Sequence, residues 1–155
     1  MRRVSRSLIF LVLLSLLAVV CSAAEPSALD VSVDTNRRTY VLGDKVQISL
    51  NNKTAEKIFV PGCQSIQVER FGDDRYELLP GEHCVAEGNA RALEPGKSEF
   101  LFQPKKEHLG PPLRVSMVFG IGCTEQRPLS QARCRDFGTV YTQSFRVREE
   151  LGSGK

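Results

Sequence analysis

The chain has few of the residues on which catalytic and metal sites depend. Histidine occurs only twice, at positions 83 and 108, and the five cysteines include no Cys-x-x-Cys pair. The sequence also has no Gly-x-Ser-x-Gly motif and no glycine-rich phosphate loop. Because nucleophilic catalysis requires a nucleophile, a base and a group that orients the base, two histidines in loop-like surroundings provide too little. The sequence therefore predicts a protein without enzymatic activity and without a cofactor.

An excess of either charge is also missing once the first 24 residues are set aside. These residues hold three of the 21 lysines and arginines and none of the 18 acidic residues, which leaves 18 of each sign. Proteins that bind nucleic acids or adhere to anionic membranes carry an excess of basic residues. The neutral balance argues against nucleic acid as a partner and against general adhesion to membranes.

The first 24 residues have the pattern of an export signal. Three arginines precede an apolar run, Leu8–Val20, which only Ser15 interrupts, and Ser22-Ala23-Ala24 supplies small residues for a signal peptidase. The run is shorter than the roughly 20 residues that a helix needs to cross a bilayer. We expect residues 1–24 to be a cleaved signal peptide and the mature protein to be periplasmic or secreted.

Cys21 leaves an alternative at the N-terminus. If Cys21 were lipidated, the mature protein would begin at this cysteine and be anchored to a membrane. The preceding residues, Ala18-Val19-Val20, match the usual lipoprotein pattern poorly, since that pattern resembles Leu-Ala-Gly or Leu-Ser-Ala. Membrane contact is therefore expected only if Cys21 is lipidated or the signal remains uncleaved.

Removal of the signal leaves four cysteines, and an even number in an exported chain is typical of disulfide bonds. Cys63 and Cys84 flank residues 65–79, which we predict to fold back as a hairpin. Cys123 and Cys134 bracket a connection between two late strands. Because chain segments that flank paired strands lie close together, we predict the pairs Cys63–Cys84 and Cys123–Cys134. Each bond should contribute on the order of 3 kcal/mol in the chain-entropy model.

Alternation of apolar and polar residues recurs along the mature chain, whereas helical periodicity does not. Val46, Ile48 and Leu50 alternate with polar residues, as expected for a strand with one buried face. The predicted strands are 29–33, 46–50, 58–60, 66–70, 76–79, 100–102, 115–119 and a last strand that holds Tyr141, Phe145 and Val147. Seven or eight short strands separated by turn residues are typical of an antiparallel sandwich.

We therefore expect one all-β domain over residues 25–148, an immunoglobulin-like antiparallel β-sandwich of seven to eight strands. A chain of this length buries roughly two thirds of its unfolded surface around one core. Residues 149–155 contain too few apolar side chains to pack and are expected to form a flexible tail.

The segment Tyr40–Thr54 carries a resemblance to a known family. Its tyrosine and a Gly43-Asp44 pair precede an alternating strand that ends in Asn52-Lys53-Thr54, and Leu93-Glu94-Pro95-Gly96 later precedes an aromatic strand. These motifs, within residues 30–120, are similar to those of the bacterial intracellular proteinase inhibitor domain family. The resemblance implies an immunoglobulin-like fold and suggests inhibition of a protease.

The chain departs from that family in three respects. It has no tryptophan, and Leu113-Arg114 stands where members have Tyr-Arg. The family name implies a reducing cytoplasm, whereas this chain carries an export signal and four further cysteines. The resemblance therefore transfers no inhibitory residue to a position in this sequence.

The best candidate for a binding site is the segment between Cys123 and Cys134. Immunoglobulin variable domains bind through the corresponding connection, and a disulfide at its base would reduce the cost of ordering it. An exposed loop of this kind would present Arg127 or Leu129 to a partner, and trypsin-like proteases cleave an Arg-Pro bond poorly. The candidate contact residues are Glu125, Gln126, Arg127, Pro128 and Leu129. The same spacing also fits a long loop that needs a cross-link only to remain folded.

Two further motifs have both a functional and a structural interpretation. His83 beside Cys84 provides half of a copper or zinc site, since imidazole and thiolate bind both metals, or is an exposed histidine beside a disulfide. Asn52-Lys53-Thr54 matches the glycosylation acceptor pattern and equally an asparagine turn after a strand. The sequence assigns no metal ligand.

The sequence thus favours a noncatalytic, exported β-sandwich that binds another protein or serves a cell-envelope assembly. A secreted proteinase inhibitor that acts through the Cys123 to Cys134 loop is the first alternative, with a protease as its partner. A periplasmic metal-binding protein is the second alternative.

Overall fold

The computed structural model describes residues 30–81, 87–124 and 127–150, and these residues form an all-β structure. The strands are β1 Val31–Thr35, β2 Thr39–Val41, β3 Val46–Asn52, β4 Ile58–Val60, β5 Gln67–Gly72, β6 Arg75–Leu78, β7 Arg91–Leu93, β8 Gly96–Phe102, β9 Leu113–Ile121, β10 Asp136–Tyr141 and β11 Arg146–Arg148. Short 3-10 turns lie at Lys106–His108 and Leu129–Gln131. The described ranges contain no helix long and apolar enough to cross a membrane. The expected all-β class is confirmed.

The smaller sheet contains three antiparallel strands in the order β1-β3-β8. Its central strand, β3, alternates strictly, with Val46, Ile48 and Leu50 fully buried. β1 and β8 pair with opposite edges of β3, so that Val33 and Ser98 both lie opposite Leu50. The alternation in the sequence therefore predicted the buried face of this sheet correctly.

The larger sheet contains six strands arranged around β9. β10 pairs with one edge of β9, from Ser116 to Ile121. The other edge pairs with β5 near Leu113 and with β4 near Gly120, while β6 and β7 extend the sheet beyond β5 and β4. All of these pairs are antiparallel.

β4 and β5 lie along the same edge of β9 but are separated by an insertion. From Phe59 to Gln67 the chain advances eight positions, while the paired part of β9, Ser116 to Gly120, advances four. The extra residues form the irregular segment 61–66, in which Ser65 Oγ donates a hydrogen bond to the Pro61 carbonyl (2.5 Å). Because proline has no N–H, Pro61 favours the departure of the chain from the ladder.

β5 and β6 form the hairpin expected within residues 65–79. Gly72 pairs with Arg75, and the two residues between them, Asp73 and Asp74, have φ angles of 48° and 63°. Two central residues with positive φ are characteristic of a type I′ turn, which aspartate tolerates better than most residues. This prediction is confirmed.

A short parallel pair, β2 with β11, places Tyr40 opposite Val147. Tyr40 is almost fully buried and packs edge-on against Phe145, with 5.6 Å between the ring centroids. Its hydroxyl donates to Asn36 Oδ1 (2.6 Å) and accepts from the Arg37 N–H (3.0 Å). The buried phenol therefore has partners for both of its hydrogen-bonding roles.

The two antiparallel sheets share one hydrophobic core. The smaller sheet contributes Val31, Val33, Val46, Ile48, Leu50 and Phe100, and the larger sheet contributes Ile58, Val60, Leu93, Leu113, Val115, Met117, Phe119 and Ile121. Burial of one face of each sheet is what stabilises a two-layer arrangement. The described residues thus form a sandwich-like domain.

The number of strands and the position of the last one differ from expectation. The described residues contain eleven strands rather than seven or eight, because β2 and β7 are too short to show alternation and the C-terminal strand is split. Tyr141 ends β10, while Val147 lies in β11. Thr142 interrupts the ladder between them, since its Oγ1 accepts a hydrogen bond from the Val115 N–H (2.9 Å). The single strand predicted over Tyr141, Phe145 and Val147 was therefore wrong.

Part of the sequence prediction lies outside the described residues. This part includes the signal peptide, residues 1–24, with Cys21, and most of the predicted tail. Within that tail, Glu149 and Glu150 are exposed and belong to no strand.

Candidate functional site

The connection between β9 and β10 is closed by the disulfide bond Cys123–Cys134 (S–S 2.02 Å). β9 and β10 pair up to Ile121 and Asp136, which brings together the cysteines that lie just beyond these ends. The predicted pairing of these two cysteines is confirmed. We call residues 123–134 the cross-linked loop.

The cross-linked loop folds back over the outward face of β9 at Gly120. A Cβ atom at Gly120 would lie 2.6 Å from Cys134 Sγ, 2.8 Å from Cys123 Sγ and 3.2 Å from Leu129 Cδ1. The first two distances are shorter than van der Waals contact, so this close packing requires glycine. The disulfide and Leu129 therefore cover one end of the outward face of the larger sheet.

Leu129 is buried, with 3% of its surface exposed, which corrects its expected role as a contact residue. Leu129 is the first residue of the 3-10 turn Leu129–Gln131, and its side chain packs against Gly120. Burial of a leucine side chain in this way is favourable. Of the other candidates, Arg127 is exposed, Pro128 is half-buried, and Glu125 and Gln126 lie outside the described residues.

Hydrogen bonds hold the cross-linked loop against the segment before β7. The Arg127 carbonyl accepts a hydrogen bond from the Ala90 N–H (2.9 Å). The Glu87 carboxylate accepts two from Ser130, one from its N–H (3.1 Å) and one from its hydroxyl (2.5 Å). A substrate-like inhibitor of a serine protease must offer the carbonyl of the scissile bond to the oxyanion hole. The engaged Arg127 carbonyl therefore counts against insertion of the Arg127–Pro128 bond into a protease.

The outward faces of the two sheets differ in chemistry. The smaller sheet is mostly polar, as is usual for a solvated antiparallel sheet, with Ser32, Asp34, Gln47, Ser49, Asn51, Lys97, Glu99 and Leu101 at outward register positions. The corresponding positions of the larger sheet include Phe59, Phe71, Tyr76, Leu78, Val118, Phe137 and Tyr141. Five of the chain's eleven phenylalanines and tyrosines thus lie at outward positions of one sheet.

Arg114 lies at the centre of this outward face, between two tyrosine rings. Its guanidinium carbon is 4.0 Å from the ring centroid of Tyr76 and 4.2 Å from that of Tyr141. Glu69 is the register partner of Arg114. The Glu69 carboxylate accepts a hydrogen bond from Arg114 Nε (2.7 Å) and forms an ion pair with Arg114 Nη2 (2.6 Å). Cation–π contacts and a charge-assisted pair therefore fix the orientation of the guanidinium plane.

Partly exposed rings extend this surface onto the neighbouring strands. Phe71 packs edge-on against Tyr76, with 5.2 Å between the centroids. The exposed fractions are 39% for Phe71, 50% for Phe137 and 49% for Tyr141. We call these residues, with Tyr76 and Arg114, the aromatic face. Tyrosine, phenylalanine and arginine are the residue types enriched at protein interfaces.

The aromatic face was not predicted from the sequence. One local signal was present, because Phe137, Thr139 and Tyr141 alternate and so place both rings on one side of a strand. The position of Arg114 between Tyr76 and Tyr141 depends on the register of four strands, β6, β5, β9 and β10, which no local pattern specifies.

A groove opens beside β8, between its C-terminal half and the β5–β6 hairpin. It has a volume of about 610 Å³ and is lined by residues 63–68, 78–81, 100–105 and 107–108. Ile66, Val68, Leu79, Phe100 and Phe102 supply apolar side chains to its lining. We call this feature the edge groove.

His108 lines the edge groove and is itself 5% exposed. Its Nδ1 accepts a hydrogen bond from the Lys105 N–H (2.8 Å), and its ring packs edge-on against Phe102 at 4.9 Å. Burial lowers the pKa of His108 below its usual 6.5, while contact with the Lys105 backbone and the charge of Glu107 act in the opposite direction. The lowered pKa favours the neutral ring at pH 7, in which Nδ1 can accept the hydrogen bond from the Lys105 N–H.

Asn52-Lys53-Thr54 forms the asparagine turn after a strand that was one of the two interpretations of this motif. Asn52 is 1% exposed, and its Oδ1 accepts hydrogen bonds from the Thr54 N–H (3.0 Å) and hydroxyl (2.6 Å). Its Nδ2 donates to the Glu56 carbonyl (2.8 Å). The amide of Asn52 is therefore inaccessible to a glycosylating enzyme in the folded domain.

The remaining cysteine and metal predictions depend on residues beyond the described ranges. Cys63 is disulfide-bonded, with a partner outside those ranges, so that the Cys63–Cys84 pair stays a prediction. His83 and Cys84, on which the metal alternative depends, also lie outside them. Within the described ranges, no group of three or more histidine, cysteine or acidic residues is placed to hold a metal ion.

No protein-family model matches the chain, and no curated protein matches its sequence. The similarity of its motifs to the intracellular proteinase inhibitor domains stays a prediction. What the protein does must therefore be inferred from its own residues.

Proposed function

We propose that the protein is a noncatalytic, exported, immunoglobulin-like module that binds another protein through its aromatic face. The observation that carries this proposal is the contrast between the two outward sheet faces, one polar and one aromatic. Partly exposed aromatic residues grouped on one surface of a soluble domain mark an interaction site more often than chance. The absence of a catalytic motif from the sequence favours binding over catalysis.

The pairing order supports the immunoglobulin-like part of the proposal. In immunoglobulin folds, the first, second, fourth and fifth strands form one sheet, and the third, sixth and seventh form the other. The smaller sheet of the described residues has three strands and no counterpart of the fourth. Here β1, β3 and β8 form the smaller sheet, while β5, β9 and β10 are neighbours in the larger one. The short strand β7 and the insertion between β4 and β5 are additions to this scheme.

The physical state of the aromatic face favours a protein partner. Arg114 contacts both Tyr76 and Tyr141 before any partner binds, so these contacts reduce the side-chain entropy that association would cost. The charge of Arg114 is balanced by Glu69, so the centre of the face is neutral. A neutral, rigid, aromatic surface suits the centre of a protein interface better than an anionic ligand.

Site-specific cross-linking tests the proposal in the cells that make the protein. A photo-reactive benzoylphenylalanine is introduced at Tyr141 in one variant and at Ser32 in another. Ser32 is exposed on the outward face of the smaller sheet and serves as the matched control. Irradiation should give a discrete cross-linked partner from position 141 and none from position 32.

The interpretation of the cross-link depends on a second variant. Adding Arg114→Ala to the position 141 variant should remove the cross-linked product while the protein stays folded by circular dichroism. Identical products from both positions, or none from position 141, would contradict binding through the aromatic face.

A second candidate function is protease inhibition through the cross-linked loop. The disulfide and the Glu87–Ser130 hydrogen bonds restrain the described part of this loop, and a substrate-like inhibitor needs a restrained loop. Titration against a panel of serine and cysteine proteases, with Arg127→Ala as control, tests it. Absence of inhibition at micromolar protein would remove this candidate and leave the first one standing.

A further inference from the structure

β8 is an edge strand, and the edge groove runs beside it. β3 pairs with one side of β8, and no strand of the described ranges pairs with the other. An edge strand presents unpaired N–H and C=O groups that can pair with another extended chain. β8 is seven residues long, which is enough to accept a full additional strand.

Only one half of β8 carries the charged residues that usually protect an edge. Lys97 Nζ and Gln47 Nε2 both bond to Glu99, at 2.8 Å each. The following residues are Phe100, Leu101 and Phe102, and Leu101 is 65% exposed. Because charged side chains hinder pairing at edges, the C-terminal half of β8 is the half open to a partner.

The edge groove lies beside this unprotected half. Its lining combines apolar and polar side chains, and one of the apolar residues, Leu78, is 60% exposed. A volume of about 610 Å³ falls in the range of sites that enclose a ligand, and it exceeds what one large apolar side chain fills. A peptide that paired with β8 would therefore have room for a bulky apolar side chain beside its backbone.

The charged side chains at one end of the edge groove indicate which peptide sequences it would favour. Lys105 and Glu107 line the groove, Lys106 is exposed between them, and Arg70 is close enough for its charge to act on His108. Among the residues that the structure describes, Lys105, Lys106 and Arg70 are basic and Glu107 is acidic at the His108 end. An acidic side chain or a terminal carboxylate is the complementary group at this end.

We propose that the edge groove binds an extended peptide segment of a partner protein, which adds a strand to β8. The segment places an apolar side chain in the groove and an acidic group near Arg70 and Lys106. This binding site is separate from the aromatic face. Its mode of recognition is strand addition, in which backbone hydrogen bonds give affinity and side-chain pockets give specificity.

Three fluorescein-labelled synthetic peptides test the proposal on the full mature protein. The first alternates valine and threonine, carries one central phenylalanine and ends in two glutamates. The second replaces the glutamates by lysines, and the third replaces alternate threonines by proline, which cannot donate a ladder hydrogen bond. Fluorescence anisotropy should show the first peptide binding at least about tenfold more tightly than either of the others.

Variants and hydrogen exchange locate the bound peptide. Arg70→Glu should weaken binding of the acidic peptide by about tenfold, whereas the matched reversal Arg75→Glu, on the same hairpin, should leave it within about twofold. In the C-terminal half of β8, the amides that do not already bond to β3 should gain protection when the first peptide is bound. The aromatic-face variant Tyr141→Ala should bind this peptide as the parent protein does, so that failure here is distinguishable from failure of the proposed function.

Other outcomes would overturn the proposal. These are equal binding of all three peptides, no binding at millimolar peptide, or protection that appears on β10 instead of β8. Dimerisation of the protein through β8, seen by analytical ultracentrifugation and not reversed by the peptide, would assign the edge to a second copy. Occupation of the groove by a small apolar dye without protection of β8 would assign it to a small molecule.

Discussion

Glu69 and Arg114 occupy paired register positions on β5 and β9 and form an ion pair of 2.6 Å on the outward side of the larger sheet. Only 14% and 28% of their side-chain surfaces are exposed. The tyrosine rings on either side of the guanidinium account for part of this shielding. Because these contacts form without a partner, their contribution can be measured in the isolated protein.

Arg114→Ala should lower the free energy of unfolding by about 1–3 kcal/mol, because it leaves the shielded Glu69 carboxylate without its hydrogen-bond donors. Arg114→Lys should recover only part of the loss, since lysine keeps the charge but not the planar stack. Denaturant unfolding measures both. As a control, Arg75→Ala breaks the exposed Arg75–Glu77 pair and should change stability by less than about 0.5 kcal/mol. Equal losses at positions 75 and 114 would refute this account of the centre of the face.

Gly120→Ala should destabilise the protein by about 1–3 kcal/mol, because the added methyl group overlaps both disulfide sulfur atoms. Thermal unfolding of the oxidised protein is the measurement. Gly72→Ala is the matched control, since a Cβ atom at this strand position meets no atom within 4 Å. An unchanged melting temperature in Gly120→Ala would show that the cross-linked loop does not pack on β9 as described.

Asn52→Ala should cost about 1–3 kcal/mol, because the N–H of Thr54 and the carbonyl of Glu56 lose a buried partner. Asn51→Ala is the control, since Asn51 is half-exposed on the outward face of the same strand. Chemical denaturation of the two variants should separate them by at least about 1 kcal/mol. Similar stabilities would mean that the turn does not depend on the Asn52 side chain.

The buried state of His108 predicts a pH dependence of stability. Its pKa is lower in the folded protein than the 6.5 of an exposed histidine, so between these two values the unfolded chain binds more protons. This contribution to stability is complete above pH 6.5 and is lost as the pH falls through the lowered folded pKa. Charged neighbours modify the effect, with Glu107 opposing it and Lys105 and Arg70 adding to it.

Replacement of His108 measures this contribution directly. His108→Asn keeps an acceptor near the Lys105 N–H but does not titrate. Denaturation midpoints at about pH 5 and about pH 8 should differ less in His108→Asn than in the parent protein. An unchanged difference would show that His108 does not titrate in the predicted direction.

The buried faces of the strands were predictable because a half-buried strand shows alternation of apolar and polar residues in the sequence. Val46, Ile48 and Leu50 alternate with polar residues and are fully buried. The β5–β6 hairpin and the Cys123–Cys134 bond were also predictable, since each depends on segments that are close in sequence. Three-residue strands such as β2 are too short to show this alternation.

The burial of Leu129 and the composition of the aromatic face were not predictable, because the first depends on how the cross-linked loop packs on β9 and the second on the register of strands that are distant in sequence. Leu129 is covered only because Gly120, on the preceding strand, lets the disulfide approach the sheet. Arg114 meets Tyr76 and Tyr141 only in the observed register, and a slip by one residue would turn each side chain to the other face of the sheet.

The most direct test of the central claim uses the partner protein that is captured by photo-cross-linking at position 141. Its affinity is measured for variants of the two outward faces. Calorimetric titration should show binding weakened by at least about tenfold in Tyr141→Ala, as expected for a residue near the centre of an interface. Glu99→Ala, on the outward face of the smaller sheet, should change the affinity by less than about twofold. Loss of binding in Glu99→Ala with retention in Tyr141→Ala would contradict recognition through the aromatic face.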